Sequence, residues 1–337
     1  MRILIPDLFY PEADVEQKVA GDGVEIDSFH WQPGKENYIA PERWEAADAL
    51  VLYEKMLITP EIMAMLTNCK VVTRAGVGFD NVDLKGWGER GVPVCNVPDY
   101  GTMDVAEHAV SLALALTRGI VSHDRNLKLD PVHEWNFKKP PLIRRLQDRK
   151  VGIIGLGRIG TAFAQRIRAF GTDVWFYDPY RPTGTELSLN LGRARSLEEL
   201  MEGSDIVSMH TPLTEETRNM INKESLSHAK PGSLFINTGR GETVHLDDMY
   251  EALRDNVIDG AGLDVLWEEP PNPEHPLIKA WAAREAWIDD RLIMTPHSAF
   301  YSPESIVSLR SKSIEVTMSY LRDNQIMNCV NDHFWKK

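Results

Sequence analysis

Three polar residues each stand just beyond a short apolar run: Arg240 after Leu234-Phe235-Ile236-Asn237, Glu269 after Gly262-Leu263-Asp264-Val265, and His297 after Leu292-Ile293-Met294-Thr295-Pro296. Together they could reduce a carbonyl. A planar guanidinium holds a carboxylate and an adjacent carbonyl oxygen better than an ammonium does. A histidine titrating near neutrality can supply the proton that the oxygen needs once hydride has reached its carbon. A carboxylate beside that imidazole orients the ring and raises its pKa. Taken singly, each residue has an ordinary alternative: a surface ion pair for Arg240, a helix-start carboxylate for Glu269, a satisfied turn histidine for His297. Their combination with a hydride donor is what favours a reaction centre.

The donor's binding site is suggested by Val151-Gly152-Ile153-Ile154-Gly155-Leu156-Gly157-Arg158-Ile159-Gly160. A short apolar run reads as a buried strand. The glycines then allow a tight turn, let bare backbone approach a pyrophosphate, and pack the next helix close to the sheet. A helix over 159 to 170, with Ile159, Phe163, Ile167 and Phe170 as its apolar stripe, would aim its free N–H groups at the phosphates. A second strand, Val174-Trp175-Phe176-Tyr177, ends in Asp178, which suits a ribose diol and would repel a 2′-phosphate. NAD is therefore expected over NADP, with the nearby Arg181 softening the preference.

Short apolar runs alternate with helix-like spacers from residue 1 to about 97, and a second such series begins at 151. That is the pattern of two doubly wound parallel sheets. Ligands gather at the carboxyl ends of such strands, which is where Lys55, Arg74 to Gly78, Thr238 to Gly241, Asp264 to Pro270 and Thr295 to Ser298 fall. Between the two series, Val105 to Leu116 reads as a strongly apolar helix. After Pro303, Ile306, Leu309, Ile314, Met318 and Leu321 mark a last helix with a buried stripe.

The net charge of −13 argues against a nucleic-acid surface, because phosphate binding needs clustered cations. The basic stretch Lys138, Lys139, Arg144, Arg145, Arg149, Lys150, interrupted by Pro140-Pro141, reads as a solvated connector or an oligomer arm. No apolar stretch nears the ~18 residues of a membrane span. The opening Met1-Arg2-Ile3-Leu4-Ile5 looks like a strand and not a signal peptide, so a cytoplasmic address is expected. Cys69, Cys95 and Cys329 are far apart and odd in number, which suggests buried small hydrophobes and neither a disulfide framework nor a metal cluster.

Over nearly its whole length the chain resembles the D-isomer-specific 2-hydroxy-acid dehydrogenases. Within that group the pattern comes closest to the C-terminal-binding-protein corepressors and the catalytic part of phosphoglycerate dehydrogenase. The motifs that carry the likeness are Arg74-Ala75-Gly76-Val77-Gly78-Phe79-Asp80-Asn81, the Gly155 to Gly160 loop, Asn237-Thr238-Gly239-Arg240-Gly241, Gly262-Leu263-Asp264-Val265 with Glu269-Pro270, and Thr295-Pro296-His297. The resemblance implies Arg240, Glu269 and His297 as the catalytic trio. For the cofactor it implies Gly155, Gly157, Arg158, Ile159, Gly160, Asp178, Thr238 and Asp264, with Asp178 on the adenosine ribose and Asp264 at the nicotinamide carboxamide. For the substrate it implies the backbone N–H groups of Val77 and Gly78, to which Arg74, Lys55 and Phe300 are added as candidates facing the site. It further implies a Rossmann dinucleotide domain over 101 to 297 inserted into a flavodoxin-like substrate domain. That second domain comprises 1 to 100 and the returning helix of 298 to 337, with a cleft between the two.

Some positions depart from the corepressor pattern, which has a tryptophan where this chain has Phe300 and a histidine where it has Glu54. Formate dehydrogenases of the same superfamily carry a glutamine where this chain has Glu269, which argues against that activity. A phosphoglycerate dehydrogenase with amino-acid feedback through an added domain after residue 337 is not expected, while a short form stays open. The leading expectation is an NAD-dependent D-2-hydroxy-acid dehydrogenase working on a small 2-keto or 2-hydroxy acid. The alternative is an NAD(H)-sensing, peptide-binding scaffold of corepressor type with residual activity. Helix 102 to 118, apolar at Val105, Ala109, Leu112, Ala113 and Leu116, is expected to form a homodimer contact.

Overall fold

The computed structural model describes residues 1–32, 38–53, 55–137 and 141–335; Glu54 and the connector residues Lys138, Lys139 and Pro140 lie outside them. The chain divides into two compact units, Met1–Gly101 with Tyr301–Lys337, and Thr102–Phe300. The second is thus inserted into the first along the sequence.

In the first unit, β1 (Arg2–Leu8), β2 (Glu25–His30), β3 (Ala49–Leu52), β4 (Val71–Arg74) and β5 (Val94–Asn96) form one parallel sheet in the order β2-β1-β3-β4-β5. That is the flavodoxin-like order. Successive side chains alternate between faces, and both faces are buried. Ile3, Ile5, Val51, Val71 and Cys95 pack with Leu309, Ile314 and Val316 of helix Pro303–Asp323. Leu4, Leu50, Leu52, Val72 and Val94 pack with Trp44, Met63, Leu66 and Trp87 on the opposite face. The 21-residue helix starts where Ser302 accepts the Ser305 N–H (2.9 Å) ahead of Pro303.

In the second unit, β6 (Lys150–Ile154), β7 (Asp173–Tyr177), β8 (Gly192–Arg193), β9 (Ile206–Met209), β10 (Leu234–Asn237), β11 (Gly260–Leu263) and β12 (Leu292–Met294) are all parallel, in the order β12-β11-β10-β9-β6-β7-β8. The order reverses at β6, the switch point of a Rossmann sheet. Val151, Ile153, Phe176, Ile206 and Ile236 pack against helices Thr102–Arg118 and Arg158–Arg168, while Val207, Met209, Phe235 and Leu263 pack with Leu200, Leu226, Met249 and Leu277 on the other face.

The fold departs from the expected pattern at two helices. Phe170 lies beyond the end of its helix and is 43% exposed, so it is not on the buried stripe. The apolar stripe of helix Thr102–Arg118 is consumed by its own unit: Ala109 and Ala113 are fully buried, and Val105, Leu112 and Leu116 nearly so, in the core beneath β10 and β11. That stripe therefore offers no surface to a second copy. Met103, outside that stripe, is 55% exposed, and further exposed apolar side chains follow the helix at Ile120, Leu129, Val132, Trp135 and Phe137.

Candidate active site

The glycine loop leaves β6 through Gly155, whose φ is +85°. A Cβ there would stand 2.9 Å from Thr211 Cγ2, and one on Gly160 would stand 2.2 Å from the Gly155 carbonyl oxygen. Both positions are closed to any side chain. Gly157, in contrast, faces open space within 4 Å. It is the N-cap of helix Arg158–Arg168 and supplies no side-chain acceptor, so the helix's first amides, including those of Arg158, Ile159 and Gly160, make an anion-attracting end. Asp178, just past β7, accepts the Leu156 N–H (2.8 Å) on one oxygen and the Tyr180 N–H (2.9 Å) on the other. It thereby fastens the loop to the neighbouring strand. Arg181 Nε lies 3.7 Å from the same carboxylate.

Beside this loop, at the carboxyl ends of β9 and β10, the Thr211 and Thr238 hydroxyls and His210 Nδ1 are buried without a hydrogen-bond partner. Such groups cost stability unless something satisfies them. A dinucleotide's sugar, phosphate and amide groups would, and an open backbone cradle lies next to them, so the residues present fit that cofactor. His210 follows directly on the end of β9, and residue spacing alone does not single it out. Its Nε2 is 2.9 Å from Ser208 Oγ, and burial pushes the imidazole down to about 3. The polar pair His210-Thr211 at a strand end, before Pro212, was the signal available.

The predicted trio gathers at the ends of β10, β11 and β12. His297 Nδ1 lies 2.6 Å from Glu269 Oε2, and Glu269 Oε1 accepts the Leu266 N–H (2.9 Å). Burial is the strongest single influence on the Glu269 carboxyl and acts to raise it. The hydrogen bond and charge of His297, the Leu266 N–H and the charge of Arg240 together outweigh burial and hold it below the usual glutamate value. Arg240 is thus near enough to act on Glu269. It begins a 3-10 turn, Gly241–Thr243, in which a Cβ on Gly241 would fall 1.9 Å from the Leu266 carbonyl. Glycine alone lets the Arg240 turn and the segment leading to Glu269 pack together. The Phe300 ring meets the His297 ring edge to face at 6.2 Å.

His297 adopts φ +51°, an uncommon conformation for a residue with a Cβ. Asp264, fully buried, is what holds it: its main-chain oxygen accepts the His297 N–H (2.8 Å), while its carboxylate accepts the N–H groups of Ser298 (3.0 Å) and Ala299 (2.9 Å) and the Thr295 hydroxyl. His108, on helix Thr102–Arg118, bonds the same hydroxyl at 2.9 Å. These anchors also explain why 298 to 300 stay with the inserted unit. They are tertiary contacts, invisible in residue spacing.

Within the first unit, the other candidates sit at the ends of β3 and β4. Buried Asp7 accepts three backbone N–H groups of the following loop, from Tyr53 (2.9 Å), Lys55 (2.8 Å) and Met56 (3.0 Å). The Lys55 ammonium lies 5.9 Å over the Trp31 ring. Arg74 donates to the Ala75 carbonyl (2.7 Å), and Asn96 supports the Val77 carbonyl (2.7 Å), which fixes the turn through Val77 and Gly78.

Comparison with known proteins places this arrangement. Residues 110–299 match the D-isomer specific 2-hydroxyacid dehydrogenase NAD-binding domain. The chain is 32% identical over 324 residues to D-3-phosphoglycerate dehydrogenase of Bacillus subtilis (strain 168), covering 94% of this chain and 58% of that protein, so it spans little more than half the relative's length. It is 34% identical to glyoxylate reductase of Korarchaeum cryptofilum (strain OPF8), covering 88% of this chain and 86% of the other. A solved NADPH-dependent glyoxylate/hydroxypyruvate reductase from Sinorhizobium meliloti, in complex with NADP and malonate, superposes with a TM-score of 0.83 at 26% identity, over 100% of this chain and 98% of that one. The chain belongs to the D-isomer specific 2-hydroxyacid dehydrogenase family, whose members are oxidoreductases using a nicotinamide dinucleotide.

Proposed function

We propose that the protein is an NAD(H)-preferring D-2-hydroxyacid dehydrogenase that works as a reductase of small 2-keto acids. The observation that carries this is the 2.6 Å pairing of His297 with Glu269 beside Arg240, in a unit with a dinucleotide loop. When bound, the reduced nicotinamide supplies the hydride. Arg240 holds the substrate's carboxylate and carbonyl oxygen. His297, with Nδ1 committed to Glu269, carries the proton at Nε2 and gives it to the carbonyl oxygen as charge develops there. In oxidation the same nitrogen takes the proton back.

Gly155, Gly157, Arg158, Ile159 and Gly160 hold the pyrophosphate, Asp178 the adenosine ribose, and Thr238 with Asp264 the nicotinamide end. Val77, Gly78, Arg74, Lys55 and Phe300 bind the substrate. The names of the relatives, reductases and dehydrogenases, support this reading over a peptide-binding scaffold. Assay of NADH oxidation with glyoxylate, hydroxypyruvate, pyruvate and phenylpyruvate tests it. Turnover of none of these, with peptide capture intact, would reverse the choice.

We further propose a cytoplasmic homodimer. Support comes from the exposed apolar side chains of Leu129, Val132, Trp135 and Phe137, which are 68 to 90% accessible and close together in the sequence, since clustered exposed apolar groups mark interaction surfaces. Light scattering at micromolar concentration should give twice the chain mass, and a monomer mass would refute the dimer.

A further inference from the structure

Cys95 and Cys329 are far apart in the chain and stand directly opposite one another. Residues 328 to 330 add an antiparallel bridge along the outer edge of β5, with the Asn96 N–H donating to the Asn328 carbonyl (3.2 Å) and the Val330 N–H donating to the Val94 carbonyl (2.9 Å). These bonds flank the pair, which makes Cys95 and Cys329 a non-hydrogen-bonded couple. In such couples the Cα atoms are about 4.5 Å apart and the side chains share one face. A disulfide spans Cα separations of about 4.4–6.8 Å. Both thiols are free.

The two differ in access. Cys95 is fully buried, whereas Cys329 is partly exposed, its thiol 3.3 Å from Asn331 Oδ1. Burial, followed by the neighbouring Cys329 sulfur, pushes the Cys95 thiol up to about 12. The backbone around the pair is already fixed: Asn331 accepts the Val94 N–H (2.8 Å) and donates to the Val92 carbonyl (3.0 Å). Little ordering would remain to be done on closing the bond. Cys69, buried elsewhere, has no such counterpart.

We propose that Cys95 and Cys329 are a peroxide-responsive disulfide site that clamps the carboxyl-terminal segment to the edge of the first unit's sheet. The Cys329 thiolate attacks a hydroperoxide oxygen, the O–O bond breaks, and Cys329 becomes a sulfenic acid as one hydroxide or alkoxide leaves. The Cys95 sulfur then attacks the Cys329 sulfur, the S–O bond breaks, and hydroxide departs to take up the Cys95 proton as water. Two thiols lose two electrons and the hydroperoxide gains them. A dithiol reductant reverses the bond. Because a long loop is closed, the linked form should be the more thermostable.

The test is to treat the whole chain with hydrogen peroxide, alkylate under denaturing conditions, and map the peptides without reduction. Two of the three thiols should be lost, a peptide joining Cys95 to Cys329 should appear, and Cys69 should be alkylated. The thermal midpoint should rise by several degrees and return on adding dithiothreitol. In Cys329→Ser, at a partly exposed position, no linked peptide should form and the midpoint should not rise. Three thiols retained under peroxide, a linkage through Cys69, or only links between chains would each overturn the proposal.

Discussion

Glu269 Oε2 lies 2.6 Å from His297 Nδ1. That short pairing assigns the ring nitrogens different tasks, Nδ1 to the carboxylate and Nε2 to chemistry. It also makes the protonation of the pair a shared property. Glu269→Gln keeps the shape and removes the charge that stabilises the imidazolium. The pH profile of keto-acid reduction should therefore move to lower pH, because the histidine now loses its proton sooner as pH rises. An unshifted profile would mean that the two residues are not coupled.

The same pair links folding to acidity. The Glu269 carboxyl lies below its unfolded value, so its contribution is complete above the unfolded pKa and fades as pH falls through the folded one. His210 works in the same direction through a different cause. Buried and neutral with a pKa of about 3, it binds a proton in the unfolded chain below about 6.5 but not in the folded one. Stability should fall as pH drops from about 6.5 toward 3, with a slope of at most about 1.4 kcal/mol per pH unit from this one group. His210→Gln should flatten that slope in thermal melts of the protein without cofactor. An equal slope in both would show that His210 is not the group responsible.

Asp178 should set the cofactor preference. It fixes the glycine loop, and Arg181 is drawn toward it at 3.7 Å. Catalytic efficiency should be higher with NADH than with NADPH. Asp178→Ser should narrow that gap on the order of tenfold, as loss of one charge contact worth ~1.4 kcal/mol implies, since Arg181 could then meet a 2′-phosphate. Equal or higher efficiency with NADPH in the wild type would overturn the assignment.

Asp7 should act on substrate binding through the loop of Lys55. Asp7→Asn exchanges an acceptor for an amide N–H₂ that faces either the Tyr53 N–H or those of Lys55 and Met56. The Michaelis constants for 2-keto acids should rise while NADH affinity holds. Lys55→Ala and Arg74→Ala, assayed on pyruvate, phenylpyruvate and a dicarboxylic keto acid, report which side chain the substrate meets. A variant that leaves all three constants unchanged removes its residue from the substrate site.

The sequence was informative where local rules govern. Period and glycine spacing located β6, the turn and Asp178, and residues just past strand ends supplied Arg240, Glu269 and His297. The two-residue β8 carries no pattern of its own and forms only because β7 offers an edge. The Ala109 and Leu112 stripe was legible as apolar, but not what would cover it, since a sheet and a second copy demand the same periodicity. The Asp264 carboxylate, the His108 link and the Cys95 and Cys329 couple rest on contacts between residues distant in the chain, and no local spacing encodes them.

If His297 moves the proton in a dinucleotide-dependent reduction, its loss is felt in turnover and not in cofactor binding. The most direct measurement is steady-state NADH oxidation by the wild type and by His297→Asn on the best 2-keto acid, with NADH binding measured separately by fluorescence. Turnover should fall by roughly 10²–10⁴-fold with NADH affinity nearly unchanged. Turnover within a few-fold of the wild type, or an equal loss of NADH binding, would exclude His297 as the proton donor.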